Sequence, residues 1–311
     1  VINIEDIAYV RVAVPDLEAQ ERFLTDFGMY KVVRTETALY MRGAGPQPVV
    51  HISELQTPGF APGLGVVASS LEDLEATARA EGASVVENEE PGGGRVVRLI
   101  DPHGYRVDLL HRATVDALPM RSPMRPNVGF DRTHFQRLNG KIRIAAGPST
   151  VMRMGHLVMK VPDVNVAADW YRKRFGLVVS DSVHVPDNPA KWLFAFLRCG
   201  LGERFVDHHS IAFLGVPGGG FDHSAYEVID IEDLMLGGAH LEKMKYHRSF
   251  GIGRHIGGSM VFDYWRDTGG NKIEHWTDGD HVNQDYESTH LPMGAAAIAS
   301  WGPEVTPEFF K

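Results

Sequence analysis

Residues 251–276 read GIGRHIGGSMVFDYWRDTGGNKIEHW, and the rest of the chain is organised around them. Met260–Trp265 is rich in aromatic and branched residues, Asp267-Thr268-Gly269-Gly270 has turn chemistry, and Asn271–Trp276 resumes the run. The pattern predicts two short strands around a tight turn. Three polar residues stand at telling places: His255 before the first strand, Tyr264 at its end, and Glu274 within the second. A carboxylate is a poor strand former, so Glu274 is better explained as a ligand or an exposed residue than as core.

Outward from this hairpin, the second half of the chain repeats the first. Val14-Pro15-Asp16 matches Val161-Pro162-Asp163, and Phe27-Gly28-Met29 matches Phe175-Gly176-Leu177. Leu71-Glu72-Asp73-Leu74 matches Ile231-Glu232-Asp233-Leu234, and Asp101…Gly104…Asp108 matches Asp267…Gly270…Glu274. Each Pro-Asp pair supplies a helix N-cap, and each Phe-Gly pair a helix stop. Helices are expected over Leu17–Phe27, Leu71–Glu81, Val166–Phe175 and Ile231–Lys245. Strands are expected over Ile7–Val14, Lys31–Thr35, Ala38–Met41, Val49–Ser53, Gly65–Ser69, Arg95–Ile100 and Tyr105–Leu110. In the second half they are expected over Gly155–Val161, Phe205–Phe213 and Ser224–Val228, closing with the hairpin. The fold class is therefore α+β, as two copies of a βαβββ-like unit. Residues 1–112 form the first module and 151–285 the second. Residues 113–150, broken by prolines 119, 123, 126 and 148, read as a connector packed on the surface or onto another subunit. Residues 286–311 form a C-terminal arm, with Asp285–Pro303 placed over a pocket mouth.

Carried across the repeat, His156 falls on Tyr9, His223 on Gly63 and Glu274 on Asp108. The second copy thus has His, His, Glu where the first has Tyr, Gly, Asp, and glycine has no side chain with which to bind. A metal site would belong to the second module alone. Two neutral imidazoles and one carboxylate leave positions open on a divalent ion, which suits non-haem Fe(II); Mn(II) accepts the same set. Zinc would more often take cysteine or three nitrogens, and Mg or Ca more carboxylates.

The bulk composition is that of an ordinary globular protein: 311 residues, 43% hydrophobic, 23% charged. The net charge of −9, with no basic block, argues against a nucleic-acid partner. Cys199 is the single cysteine, so no disulfide can form within the chain, which fits a reducing cytoplasm. The apolar runs are too short for a membrane span. VINIEDIAYV lacks a basic n-region followed by an apolar h-region, so no signal peptide is expected there.

The constellation resembles the type I extradiol catechol dioxygenases of the vicinal oxygen chelate superfamily. The first family ligand sits as His156 does in Met154-Gly155-His156-Leu157, and the second as His223 does in Phe221-Asp222-His223-Ser224-Ala225-Tyr226-Glu227-Val228. Where the family often has a His pair, this chain has Asp222-His223. The third ligand is a glutamate ten residues after a tyrosine, here Glu274 after Tyr264. A family histidine nine residues before that tyrosine is His255, and another, opening His-x-x-Ala-Phe fourteen residues before the second ligand, is His209. The resemblance implies two modules that are each an incomplete barrel, and an Fe(II)-dependent cleavage of an aromatic diol by O2 to a muconic semialdehyde-type product. It implies His209 as acid–base residue, with Tyr264 and His255 hydrogen-bonding the substrate oxygen. His208 competes with His209, since strand alternation turns only one of the two inward. Phe194, Phe196 and Trp192 are candidates for the pocket wall, while His184, His240, His247, His275 and His281 read as surface or structural. The expected partners are a catechol-type substrate, O2 and, from family habit, further copies of the chain. The rivals are a hydroxyphenylpyruvate-type dioxygenase, a glyoxalase-like isomerase and a metal-free binding module. Tyr264, His255 and His209 argue against the first, and Tyr9 and Gly63 against the second.

Overall fold

The computed structural model describes residues 2–127, 129, 135–294 and 298–310; parts of the expected connector (128 and 130–134) and arm (295–297 and 311) lie outside them. The chain begins with β1 (Ile4–Val14), α1 (Leu17–Phe27), β2 (Tyr30–Arg34), β3 (Ala38–Arg42) and β4 (His51–Leu55). It continues with β5 (Gly63–Ala68), α2 (Leu71–Glu81), β6 (Val85–Glu87), β7 (Arg95–Ile100) and β8 (Arg106–His111). These are two βαβββ units in one eight-stranded sheet, ordered β2-β3-β4-β1-β5-β8-β7-β6.

The second half repeats the arrangement. Its elements are β9 (Val151–Val161), α3 (Val164–Phe175), β10 (Leu177–Val185), β11 (Asn188–Cys199), β12 (Val206–Asp207) and β13 (Ile211–Gly215). There follow β14 (Gly220–Val228), α4 (Ile231–Lys243), β15 (Arg248–His255), β16 (Val261–Arg266) and β17 (Lys272–Thr277). The second module ends with β18 (His281–Val282), and the C-terminal arm adds β19 (Thr289–Pro292), β20 (Ala299–Trp301) and a 3-10 turn at Pro307–Phe310. Arm strands β19 and β20 cap the two edges of a ten-stranded sheet, β19-β10-β11-β13-β9-β14-β17-β16-β15-β20. Among the described residues no helix is long and apolar enough to cross a membrane.

The caps behave as their chemistry requires. Asp16 accepts from the amides of Glu18 and Ala19, and Asp163 from that of Val166. Gly28 and Gly176 end their helices at φ +107° and +64°, in the left-handed region that a side chain disfavours. β1 and β9 share one burial pattern along eleven residues. Their register is also shared: Gly63 pairs with Arg11 as His223 pairs with Val158, and Asp108 with Gly65 as Glu274 with Ala225. The equivalence of Tyr9, Gly63 and Asp108 with His156, His223 and Glu274 is thus topological.

Several expectations are corrected. The repeat is finer than two copies, since each half holds two βαβββ units. Phe205–Phe213 is not one strand: β12 ends at Asp207 and β13 begins at Ile211, because residues 208–210 bond outside a regular ladder, His208 N to Asp280 O and Ser210 N to Leu197 O. Helix α3 starts earlier, at Val164, and α4 stops at Lys243. The glycine-rich run before Met260 is strand β15, with His255 at its end. The described part of 113–150 packs on its own chain, through Val115 N to Pro46 O, Leu118 N to Ala44 O and the Arg121–Asp230 ion pair at 2.6 Å.

The two halves share one apolar core, running from Phe23 and Phe27 through Val151 and Met154 to Tyr226 and Trp265. Polar bonds fix its register: His51 Nδ1 with Tyr226 Oη at 2.7 Å, and His275 Nε2, which donates to Phe27 O at 2.7 Å. In the first module, Arg11 pairs with Asp108, the counterpart of Glu274. Its guanidinium, 1% exposed, bonds Asp108 at 3.2 Å and Glu54 at 2.8 Å and also pairs with Glu90; Tyr9 donates to Asp108 at 2.8 Å. A Cβ on Gly63 would lie 2.8 Å from Arg106 Cβ, so a histidine could not enter there without displacing that strand. Removing one partner of a buried ion pair leaves the other charge uncompensated, at about 3–5 kcal/mol. Arg11→Met is therefore expected to lower the unfolding free energy by about that amount, read from a urea titration, with no change in bound metal per chain.

Candidate metal centre

Three strands bring His156, His223 and Glu274 together. β9 carries His156, β14 lies antiparallel beside it with His223, and β17 lies parallel to β14 with Glu274. Their potential ligand atoms fall within 4.8 Å of one another. Both histidines aim Nε2 at one carboxylate oxygen, Glu274 Oε2, at 3.2 and 3.4 Å. Glu274 is fully buried, and neither of its oxygens has a hydrogen-bond partner. Burial raises its pKa, and burial pushes that of His156 down to about 3. A fully buried carboxylate is costly to ionise unless a cation stands against it. Two neutral nitrogens and one carboxylate oxygen around an orphaned acceptor suit a divalent ion.

The supporting groups set the tautomers. His223 Nδ1 donates to Asp222 at 2.6 Å, which turns its Nε2 lone pair toward Glu274. Asp222 in turn takes the ammonium of Lys272 at 3.1 Å and that of Lys160 at 3.3 Å. Burial opposes ionisation of Asp222, but the hydrogen bond from His223 and the two ammonium groups outweigh it and hold its pKa well below the usual carboxylate range. Partners of metal-ligating histidines typically contribute ~10–100-fold in metal affinity. Asp222→Asn should weaken metal binding by about that factor, read by competition with a fluorescent chelator.

His255 and Tyr264 flank the same space. His255 Nδ1 donates to Ile298 O at 3.0 Å, so its Nε2 accepts the Tyr264 hydroxyl at 2.8 Å. The remaining lone pairs of Tyr264 Oη can then accept a proton donor. Burial raises the Tyr264 pKa well above its ordinary value, and the Glu274 carboxylate adds to this. His209 is buried, with its ring centre 4.2 Å from that of His156; burial and the imidazoles of His156, His208 and His255 drive its pKa well down.

Five of the six residues, His156, His209, His223, His255 and Tyr264, line one cavity of about 450 Å³, and Glu274 is fully buried beside the two histidines. Its apolar wall includes Val158, Val183, Phe194, Phe196, Leu214, Ile256, Met260 and Leu291. Trp192 is not on that wall; it stacks near His290 instead. Tyr286, Thr289, Leu291, Ile298 and Phe309 of the arm also face the cavity. His209 lines the cavity and His208 does not, as expected, but strand alternation is not the cause, because residues 208–210 lie outside a ladder and both rings are buried. The sequence reading missed Asp181, Lys272 and Tyr286. Only Lys272 left a trace in the sequence, as a charge within a strand otherwise built to be buried. His275 is structural: fully buried, stacked on Phe27 and bonded to its carbonyl.

Residues 153–275 match the model of the Glyoxalase/Bleomycin resistance protein/Dioxygenase superfamily. Metapyrocatechase 2 of Cupriavidus necator is 28% identical over 99% of this chain and 91% of its own. An iron-dependent extradiol dioxygenase of Rhodococcus jostii is 25% identical over 97% of each chain. Among solved structures, an Mn(II)-bound glyoxalase from Novosphingobium aromaticivorans superposes over 100% of this chain and 95% of its own, with TM-score 0.77 and 21% identity. At that identity the last likeness bears on the fold alone.

Proposed function

We propose that this chain, whose residues 153–275 match the Glyoxalase/Bleomycin resistance protein/Dioxygenase superfamily model, is an extradiol ring-cleaving dioxygenase, opening a catechol-type diol with O2 at an Fe(II) held by His156, His223 and Glu274. The observation that carries the reading is the orphaned, fully buried Glu274 carboxylate with two imidazole nitrogens aimed at it. Relatives along the whole length named as metapyrocatechase and extradiol dioxygenase support the reaction class. A metal-free binding module would have no use for such a carboxylate. Mn(II) fits the same donors, and metal quantification decides between the two.

Bound there, the metal would supply joint activation of O2 and the diol. The protein's residues do the rest. The aromatic wall of Phe194 and Phe196 takes the face of the ring and keeps water out. Tyr264 Oη, with its own proton committed to His255, accepts a hydrogen bond from a substrate hydroxyl. His209, neutral and buried, takes the proton that the diol loses and returns it as the ring opens. A cytoplasmic setting and self-association complete the reading, the first supported by the single buried thiol of Cys199.

Anaerobic purification, metal quantification and oxygen uptake on a panel of catechols test it. About one Fe(II) per chain with a yellow ring-opened product is expected. A chain that takes up neither metal, even after reconstitution, would leave the binding-module alternative standing.

A further inference from the structure

His208 and His209 meet nitrogen to nitrogen. Their Nδ1 atoms are 3.2 Å apart, and His208 Nε2 lies 2.9 Å from Asp181 Oδ2. Both rings are buried, at 2% and 3% exposure. The backbone between them is pinned: Ser180 Oγ donates to His208 O at 2.5 Å, and Ser210 O accepts from Leu157 N at 3.1 Å. The arrangement is fixed from below.

Proton counting along this chain has one solution when each ring carries one proton. A carboxylate only accepts, so His208 donates through Nε2. Its Nδ1 is then a bare lone pair. The contact between the two Nδ1 atoms needs one proton, which must sit on His209. That leaves His209 Nε2 bare, on a ring that lines the cavity. A free imidazole in water prefers the other tautomer. We propose that Asp181, acting through His208, is a positioning residue that holds His209 in its Nδ1–H tautomer, so that the ring meets the substrate as a proton acceptor. The proposal rests on the reading of His209 as the acid–base residue.

Asp181 is itself held by the C-terminal arm. Thr289 N donates to its Oδ1 at 2.8 Å within the β10–β19 pairing, and Tyr286 Oη approaches at 3.4 Å. Burial opposes ionisation of Asp181, but the hydrogen bonds from His208 and Thr289 outweigh it and hold it in the carboxylate form. Thr289 also makes the test sharp. In Asp181→Asn the Thr289 amide keeps the side-chain carbonyl on its side, so the new NH2 faces His208 Nε2 and donates to it. His208 must then donate through Nδ1 to His209, and His209 must carry its proton on Nε2. One substitution at the far end reverses both rings.

The experiment is two-bond 15N–1H correlation spectroscopy on the full chain with 15N-labelled histidine, loaded with diamagnetic Zn(II), and with the His209 signals assigned by their loss in His209→Phe. The expected result is a protonated Nδ1 and a bare Nε2 on His209, exchanged in Asp181→Asn. Steady-state kinetics on the Fe(II) enzyme should show kcat in Asp181→Asn lowered by ~10²–10⁴-fold, the span of general acid–base help, with KM and iron content unchanged. A protonated Nε2 on His209 in the unmodified protein overturns the proposal, whether or not the variant folds. So does an Asp181→Asn enzyme with unaltered kcat. Full turnover in His209→Phe would instead remove the acid–base reading, and that result is separate from the tautomer spectrum.

Discussion

His223→Ala is expected to fold, to purify without iron and to lose turnover. His223 supplies one of the two nitrogens that approach Glu274 Oε2 most closely. Its loss leaves a bidentate remnant of His156 and Glu274, too few donors to retain Fe(II) against water. The deficit in metal affinity should exceed the ~10–100-fold typical of a ligand's hydrogen-bonding partner. The fold should survive, because β14 is held to β9 and β17 by its backbone ladder and by Ala225, Tyr226 and Val228 in the core. Iron analysis and circular dichroism on one preparation check both halves of the statement. Full turnover in this variant would sink the ligand assignment.

His209→Phe should behave in the opposite way. Iron stays, because His156, His223 and Glu274 are untouched, and phenylalanine fills a ring-shaped space already walled by Phe196 at 4.6 Å. What goes is the nitrogen that accepts a proton. The expected loss in kcat is ~10²–10⁴-fold, with KM for the catechol changed only a few-fold. Single-turnover kinetics under limiting oxygen would place the loss in the chemical steps. Unchanged kinetics would mean that the acid–base role belongs to His208 or to neither histidine.

How much of this was legible in the sequence depends on how local the signal was. The helix Leu17–Phe27 was readable to the residue, because its Asp cap and Gly stop are chemistry of single positions. The twofold repeat was readable because Pro-Asp and Phe-Gly recur at matching places. The fourfold repeat was not: strands such as Val85–Glu87 are three residues long and largely exposed, with no buried face to pattern them. His156, His223 and Glu274 stood out because the counterpart of His223, Gly63, has no side chain with which to ligate. Asp181 did not, since its meaning comes from an arm more than a hundred residues away. His209, and not His208, lines the cavity as expected, though strand alternation is not what places it there. Alternation applies to ladders, and that segment is not in one.

The Arg11 guanidinium in the first module has a consequence for how the two halves come into being. A ribosome delivers the N-terminal half first, and that half finishes its electrostatic closure with a cation encoded in its own sequence. The C-terminal half, made last, would borrow its cation from the cell. Scarcity of the metal would then be registered by one half only, as a completed scaffold beside a module that waits for its ion.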